Sequence, residues 1–141
     1  MGTRADFYVG KGKDAEWLGS IAYDGTEIDD QIRECTSPEA YRYAVASFLE
    51  DRDDATLPKD GWPWPWEDSG TTDCSYWHFD GRTWSAQGRT EVYVPCGEDR
   101  PKTDGEYEKM LEGRERIELP NMKGKQKVTF GKRSGLMIFG R

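Results

Sequence analysis

The sequence predicts an α+β fold: a mainly antiparallel sheet of short strands and hairpins covered by one amphipathic helix. Three observations lead there. Six or seven short stretches carry strand-type residues at period two, one stretch carries a capped helical stripe, and strands do not alternate with helices as a parallel βαβ fold requires. The 141 residues are one domain's worth, so 1–141 is expected to be a single domain.

Ala5-Asp6-Phe7-Tyr8-Val9 and Glu16-Trp17-Leu18-Gly19-Ser20-Ile21-Ala22-Tyr23 are the first two strands, with Trp17, Ile21 and Tyr23 expected on one face. Gly10-Lys11-Gly12-Lys13-Asp14 supplies the turn between them. Ile28, Ile32 and Cys35 recur at helical spacing and predict a short helix. A stronger helix follows. Ser37 suits the N-cap, Pro38 the first turn and Glu39 the positive end of the dipole, while Tyr41, Ala44, Val45, Phe48 and Leu49 form one apolar stripe. Glu50-Asp51-Arg52-Asp53-Asp54 is unfavourable at a helix C-terminus and marks a solvated exit.

Gly61-Trp62-Pro63-Trp64-Pro65-Trp66-Glu67-Asp68 can be neither helix nor central strand, because each proline removes a donor and biases the residue before it towards an extended conformation. Ser75-Tyr76-Trp77-His78-Phe79 and Arg82-Thr83-Trp84-Ser85-Ala86 flank Asp80-Gly81, a pair that accepts the two positive φ angles of a type I′ hairpin turn. Thr90–Val94 is a further strand, and a short helix is expected around Tyr107, Met110 and Leu111. Lys127-Val128-Thr129-Phe130 and Leu136-Met137-Ile138-Phe139 predict a closing hairpin.

Leu, Ile, Val and Phe make up only 21 of the residues, fewer than a charged globule of this size usually carries. Phe, Tyr and Trp number 18 and compensate, since each ring can bury on the order of 150 to 250 Å². The net charge of −7 divides unevenly: residues 1–120 form an acidic body of −13, whereas residues 121–141 hold six basic side chains and no acid. That basic end opens a nucleic-acid reading through Lys125, Lys127, Lys132 and Arg133, which the acidic body opposes by repelling phosphate.

Cys35, Cys74 and Cys96 are odd in number and widely spaced, which fits neither a disulfide scaffold nor a zinc site. No metal or cofactor is expected, and a reducing cytoplasm is the natural setting. The N-terminal residues lack an apolar signal core, and no run reaches membrane-spanning length, so no membrane association is expected. Gly10-x-Gly12-x-x-Ala15 approximates a dinucleotide fingerprint but opens into a strand, leaving no helix N-terminus to hold pyrophosphate.

His78 is the only histidine. A hydrolase would have to pair it with Asp73 or Cys74; alternation places it with Tyr76 opposite Trp77, and so on the outer surface if Trp77 is core. No assembled catalytic motif accompanies it. The unusual feature is the rib of Trp62, Trp64 and Trp66, stiffened by prolines and suited to recognition because it loses little entropy on binding. At least one of these indoles is expected to be buried, roofing the core beside the helix, with the others shaping a surface.

Thr3-Arg4-Ala5-Asp6-Phe7-Tyr8-Val9-Gly10, Ala15-Glu16-Trp17-Leu18-Gly19-Ser20-Ile21-Ala22, Arg52-Asp53-Asp54-Ala55-Thr56, Gly61–Ser69 and Gln126-Lys127-Val128-Thr129 resemble a family of uncharacterised small proteins of bacterial phages, prophages and mobile elements. The resemblance implies no catalytic residues. It implies a setting, the cytoplasm of a bacterial host, where small acidic proteins of this kind act stoichiometrically on host proteins, CRISPR effectors among them. The expectation is a non-enzymatic binding module that inhibits a host defence or nucleic-acid-handling complex, in the manner of an anti-CRISPR protein. Its contact residues would be Trp62, Trp64, Trp66, Glu67, Asp68, Asp51, Asp53 and Asp54.

Overall fold

The computed structural model describes residues 2–87, 92–96 and 103–126. In chain order it contains β1 (Ala5–Val9), β2 (Glu16–Ile21), α1 (Asp30–Arg33), α2 (Pro38–Glu50), β3 (Ala55–Thr56), β4 (Cys74–Phe79), β5 (Arg82–Gln87), β6 (Val94–Pro95) and α3 (Asp104–Leu111). The strands form one sheet in the order β3-β2-β1-β4-β5-β6. Each pairing is antiparallel except β1 with β4, which run parallel at the centre. The expected α+β class with a mainly antiparallel sheet and one main helix is what the chain adopts.

Local chemistry accounts for the elements. The Ser37 hydroxyl accepts the Ala40 N–H at 3.1 Å, and Pro38 begins α2 where no backbone donor is needed. Tyr41, Ala44, Val45 and Leu49 are buried from α2 onto the sheet, meeting Phe7, Ile21 and Tyr76 together with Ile28 and Ile32. Each fully buried aliphatic of this set contributes about 2 kcal/mol. Asp80 and Gly81, at φ 52° and 76°, make the tight β4–β5 turn.

The opposite face of the sheet carries a second, aromatic core of Tyr8, Trp17, Trp62, Trp77, Tyr93 and Met122. Tyr8 stacks on Trp77 at 4.2 Å, and Trp62 meets Trp17 edge-on at 5.2 Å. This face is covered by Trp62 and Trp64 of the Trp-Pro segment and by Ile117, Leu119 and Met122 of the chain that follows α3. The tryptophan roof therefore lies across the sheet from α2, not beside it.

Two facing assignments differ from the sequence reading. Trp17 and Ile21 lie on opposite faces, because Phe7 pairs with Gly19 while Tyr8 pairs with Trp17, so Leu18 is an extra residue and the alternation inverts there. Tyr23 falls beyond the strand and is 58% exposed. His78 does share a face with Tyr76, but that face is the one under α2, so His78 is buried and does not point outward. With both sheet faces covered, alternation could not tell inside from outside.

In the predicted strand 90–94, Val92 bridges Arg116 and Val94 enters β6, while Thr90 and Glu91 lie outside the described residues. The expected closing hairpin, with Lys127, Lys132 and Arg133, also lies outside them. Among the described residues no helix is long and apolar enough to cross a membrane.

Candidate functional site

The site is built on Asp6, a lone acid in the apolar strand β1. It is fully buried on the aromatic face. Ser20 Oγ donates to its Oδ1 at 2.6 Å, the Trp64 indole N–H donates to the same oxygen at 2.7 Å, and Ser69 Oγ donates to Oδ2 at 2.6 Å. Each serine is in turn supplied from behind. The Trp17 indole donates to Ser20 Oγ at 3.0 Å, and since the Ser69 proton points to Asp6, the Tyr8 hydroxyl donates to Ser69 Oγ at 2.6 Å. Burial holds the Tyr8 hydroxyl well above its ordinary value, so it keeps the proton it donates. Burial likewise raises the Asp6 carboxyl above its ordinary value, against the pull of the hydrogen bonds from Ser20, Ser69 and Trp64.

This network divides the three tryptophans. Trp62 is fully buried, takes the Lys125 carbonyl with its backbone N–H at 2.7 Å, and donates its indole N–H to the Trp66 carbonyl at 2.7 Å. It is a core residue. Trp64 and Trp66 are half-buried, with ring centroids 6.0 Å apart. The Arg4 guanidinium lies over them, 4.5 Å from the Trp66 centroid and 5.8 Å from that of Trp64. Its Nε donates to Asp73 Oδ2 at 3.3 Å, and the Arg4 backbone N–H donates to the same oxygen at 2.9 Å.

The acidic candidates fall into two groups. Glu67 is exposed beside the indoles, with Lys123 at 3.8 Å, and Asp68 receives the Gly70 N–H to open a short turn. Asp54 belongs to the fold. Its carboxylate takes the Ala22 and Tyr23 N–H groups at 3.1 and 2.8 Å and the Arg52 guanidinium. Burial opposes its charge, but the hydrogen bonds from Arg52 and Tyr23 outweigh that and lower its carboxyl. Asp51 and Asp53 are exposed. The two groups share one end of the sheet: Gly2 lies against the Tyr23 ring, and two residues later Arg4 lies on Trp66.

The hydrolase residues are not brought together. Cys74 and His78 sit four positions apart on β4, about 13 Å along the strand, and Asp73 is engaged by Arg4. His78 Nε2 donates to the Cys35 carbonyl at 3.1 Å, its ring packs 5.0 Å from that of Tyr41, and its Nδ1 is buried with no hydrogen-bond partner among the described residues. Burial pushes the Cys74 thiol up to about 11, far from nucleophile character. Of the basic set, Lys125 is exposed and its carbonyl pairs with Trp62. Among the described residues no group of three or more His, Cys, Asp or Glu is placed to hold a metal ion.

Arg4, Asp6, Ser20 and Ser69 were not marked by the sequence reading. Asp6 had a signal, since an acid between Ala5 and Phe7 in a predicted strand must be exposed or fully satisfied. Arg4 had none, because its stacking depends on a segment some 60 residues away in sequence. No protein-family model, curated protein or solved structure matches the chain.

Proposed function

We propose that the chain is a non-enzymatic protein-binding module, and that Trp64, Trp66 and Arg4, with Glu67, Asp68 and Asp73 around them, form its contact face. The observation that carries this reading is that the half-buried indole pair is already held from within the fold, Trp64 by its indole bond to the buried Asp6 and the Trp66 backbone by the Trp62 indole. A partner would meet a rigid aromatic surface and would bear little ordering cost. Tryptophan and arginine are the side chains most enriched at binding hot spots. The −13 body favours a basic target, through steering and complementarity. The resemblance to small phage and mobile-element proteins supports a finer version, an inhibitor of a host defence or nucleic-acid-handling complex in a bacterial cytoplasm.

Affinity capture from bacterial lysate tests the reading with three proteins: wild type, Trp66→Ala, and Tyr43→Ala as a control on the 74% exposed Tyr43 of α2. One protein should be retained stoichiometrically by wild type and Tyr43→Ala, with its affinity for Trp66→Ala down by about 30-fold. The same proteins retained by all three, or none by any, overturns the proposal.

A further inference from the structure

The guanidinium on the indole pair is held from two directions: Trp66 supplies a face, and Asp73 supplies an acceptor at its edge. Stacking plus an acceptor in the guanidinium plane is the recognition geometry of arginine, and a lysine ammonium cannot reproduce it. Each wall of this cradle is fixed by something other than the Arg4 side chain. Trp64 is anchored by its indole bond to Asp6, and the Trp66 backbone by the Trp62 indole. Asp73 is anchored by the Arg4 backbone N–H at 2.9 Å, while the next N–H along, from Cys74, bonds the Arg4 carbonyl at 2.9 Å. Emptying the cradle of its guanidinium would leave it standing.

The ion pair does little to lock its occupant in place. The Arg4–Asp73 pair leaves the two side chains 35% and 42% exposed, and ion pairs so open to water contribute little. Glu67 and Asp68 follow directly on Trp66 and add negative charge at the rim. A cationic residue of another protein is therefore drawn to the cradle and needs only to exchange for Arg4.

We infer that Trp64, Trp66 and Asp73 form a binding site for an arginine side chain of the partner, and that Arg4 is an internal occupant which gives way to it. This rests on the reading of the same face as a protein contact. Arg4 keeps the indoles covered until a partner arrives, and it sets a threshold that single stray cations do not pass. If Arg4 fills the cradle four-fifths of the time, its removal exposes the competent state and tightens binding about fivefold.

The test uses hexa-arginine and hexa-lysine peptides at physiological salt, followed by calorimetry and by the indole N–H signals of Trp64 and Trp66. Hexa-arginine should bind the wild type more tightly than hexa-lysine and shift both indoles. Arg4→Gln should bind hexa-arginine about fivefold more tightly than wild type. Lys11→Gln, which removes the same charge at the opposite end of β1, should gain much less, and Trp66→Leu should lose the preference for arginine. Arg4→Lys, which keeps the charge but not the planar fork, should fall between wild type and Arg4→Gln and serves if the glutamine variant folds poorly. Equal binding of the two peptides, or an Arg4→Gln gain no larger than that of Lys11→Gln, or a loss instead of a gain, overturns the inference. If that happens while a lysate partner still depends on Trp66, the contact face stands and only its arginine preference falls. If the peptides behave as stated and no partner depends on Trp66, the contact reading falls instead.

Discussion

The Trp64 indole donates its proton to Oδ1 of Asp6 at 2.7 Å, so a half-buried ring of the Trp-Pro segment is tied to a fully buried acid. Replacing Asp6 by Asn puts an amide where three donors converge, so at least one of Ser20, Trp64 and Ser69 must lose its acceptor. A buried donor left unpaired costs about 1–3 kcal/mol. Urea unfolding should show Asp6→Asn destabilised by about 2 kcal/mol or more, and Trp64→Phe, which removes a single donor to the carboxyl, by less. A neutral effect of Asp6→Asn would mean that the network does not bear on stability.

The same carboxyl makes a pH prediction. Desolvation raises Asp6 above its ordinary value, so folding favours its protonated form. Its contribution is then fully present in acid below the unfolded carboxylate value, near 3.9, and is lost as pH rises through the higher folded value. The stability difference between wild type and Asp6→Asn should accordingly shrink from acid towards neutral pH. A difference that grows with pH would show that the three donors outweigh desolvation and lower the carboxyl instead.

Trp62 and Trp66 should respond unequally to truncation. Trp62 is fully enclosed by the aromatic core, and Trp62→Ala should cost about 3–5 kcal/mol. Trp66 is half-buried and its backbone carbonyl, not its ring, receives the Trp62 bond, so Trp66→Ala should cost about 1 kcal/mol. Thermal unfolding of the two variants separates them, and comparable losses would contradict the division of the rib into core and surface.

How far the sequence could be read depended on whether a signal was local. The cap at Ser37, the stripe from Tyr41 to Leu49 and the Asp80-Gly81 turn each lie within a few residues, and all are found in the structure. The failures came where two distant segments decide the outcome. The bulge at Leu18 depends on how β2 registers against β1, and the burial of His78 depends on α2 lying over it. The parallel β1–β4 pairing joins strands 69 residues apart, at Ala5 and Cys74. The Trp-Pro segment was visible from its composition, but its division into one core and two surface indoles follows from Trp62 entering the aromatic cluster and Trp64 reaching Asp6, and nothing in the spacing of three tryptophans marks which of them does either.

Burial makes a further prediction for the thiols. Cys74 and Cys96 are pushed up to about 11, and Cys35 is raised as well, by burial in each case. At neutral pH all three should be thiols, and alkylation of the native protein should be slow compared with the urea-unfolded chain. Because the folded values exceed the unfolded ones, the thiols' contribution to stability is present at neutral pH and is lost as pH rises towards 11. Rapid native labelling of Cys74 at pH 7 would reopen a nucleophilic role for it.

Gly19 shows how closely α2 approaches the sheet. Its φ is +149°, and a Cβ placed there would fall 2.5 Å from Leu49 Cδ1 and 3.0 Å from the Thr56 carbonyl oxygen. The leucine end can move, but the carbonyl belongs to the β2–β3 edge and cannot move without disturbing that pairing. Gly19→Ala should therefore destabilise by about 2 kcal/mol, part from backbone conformation and part from overpacking. Adding Leu49→Ala removes the movable half of the clash and leaves the rest. The double variant should be more stable than the sum of the two single losses by about 1 kcal/mol. Simple additivity would mean that the Thr56 carbonyl and the backbone angle, not the helix, are what require glycine at this position.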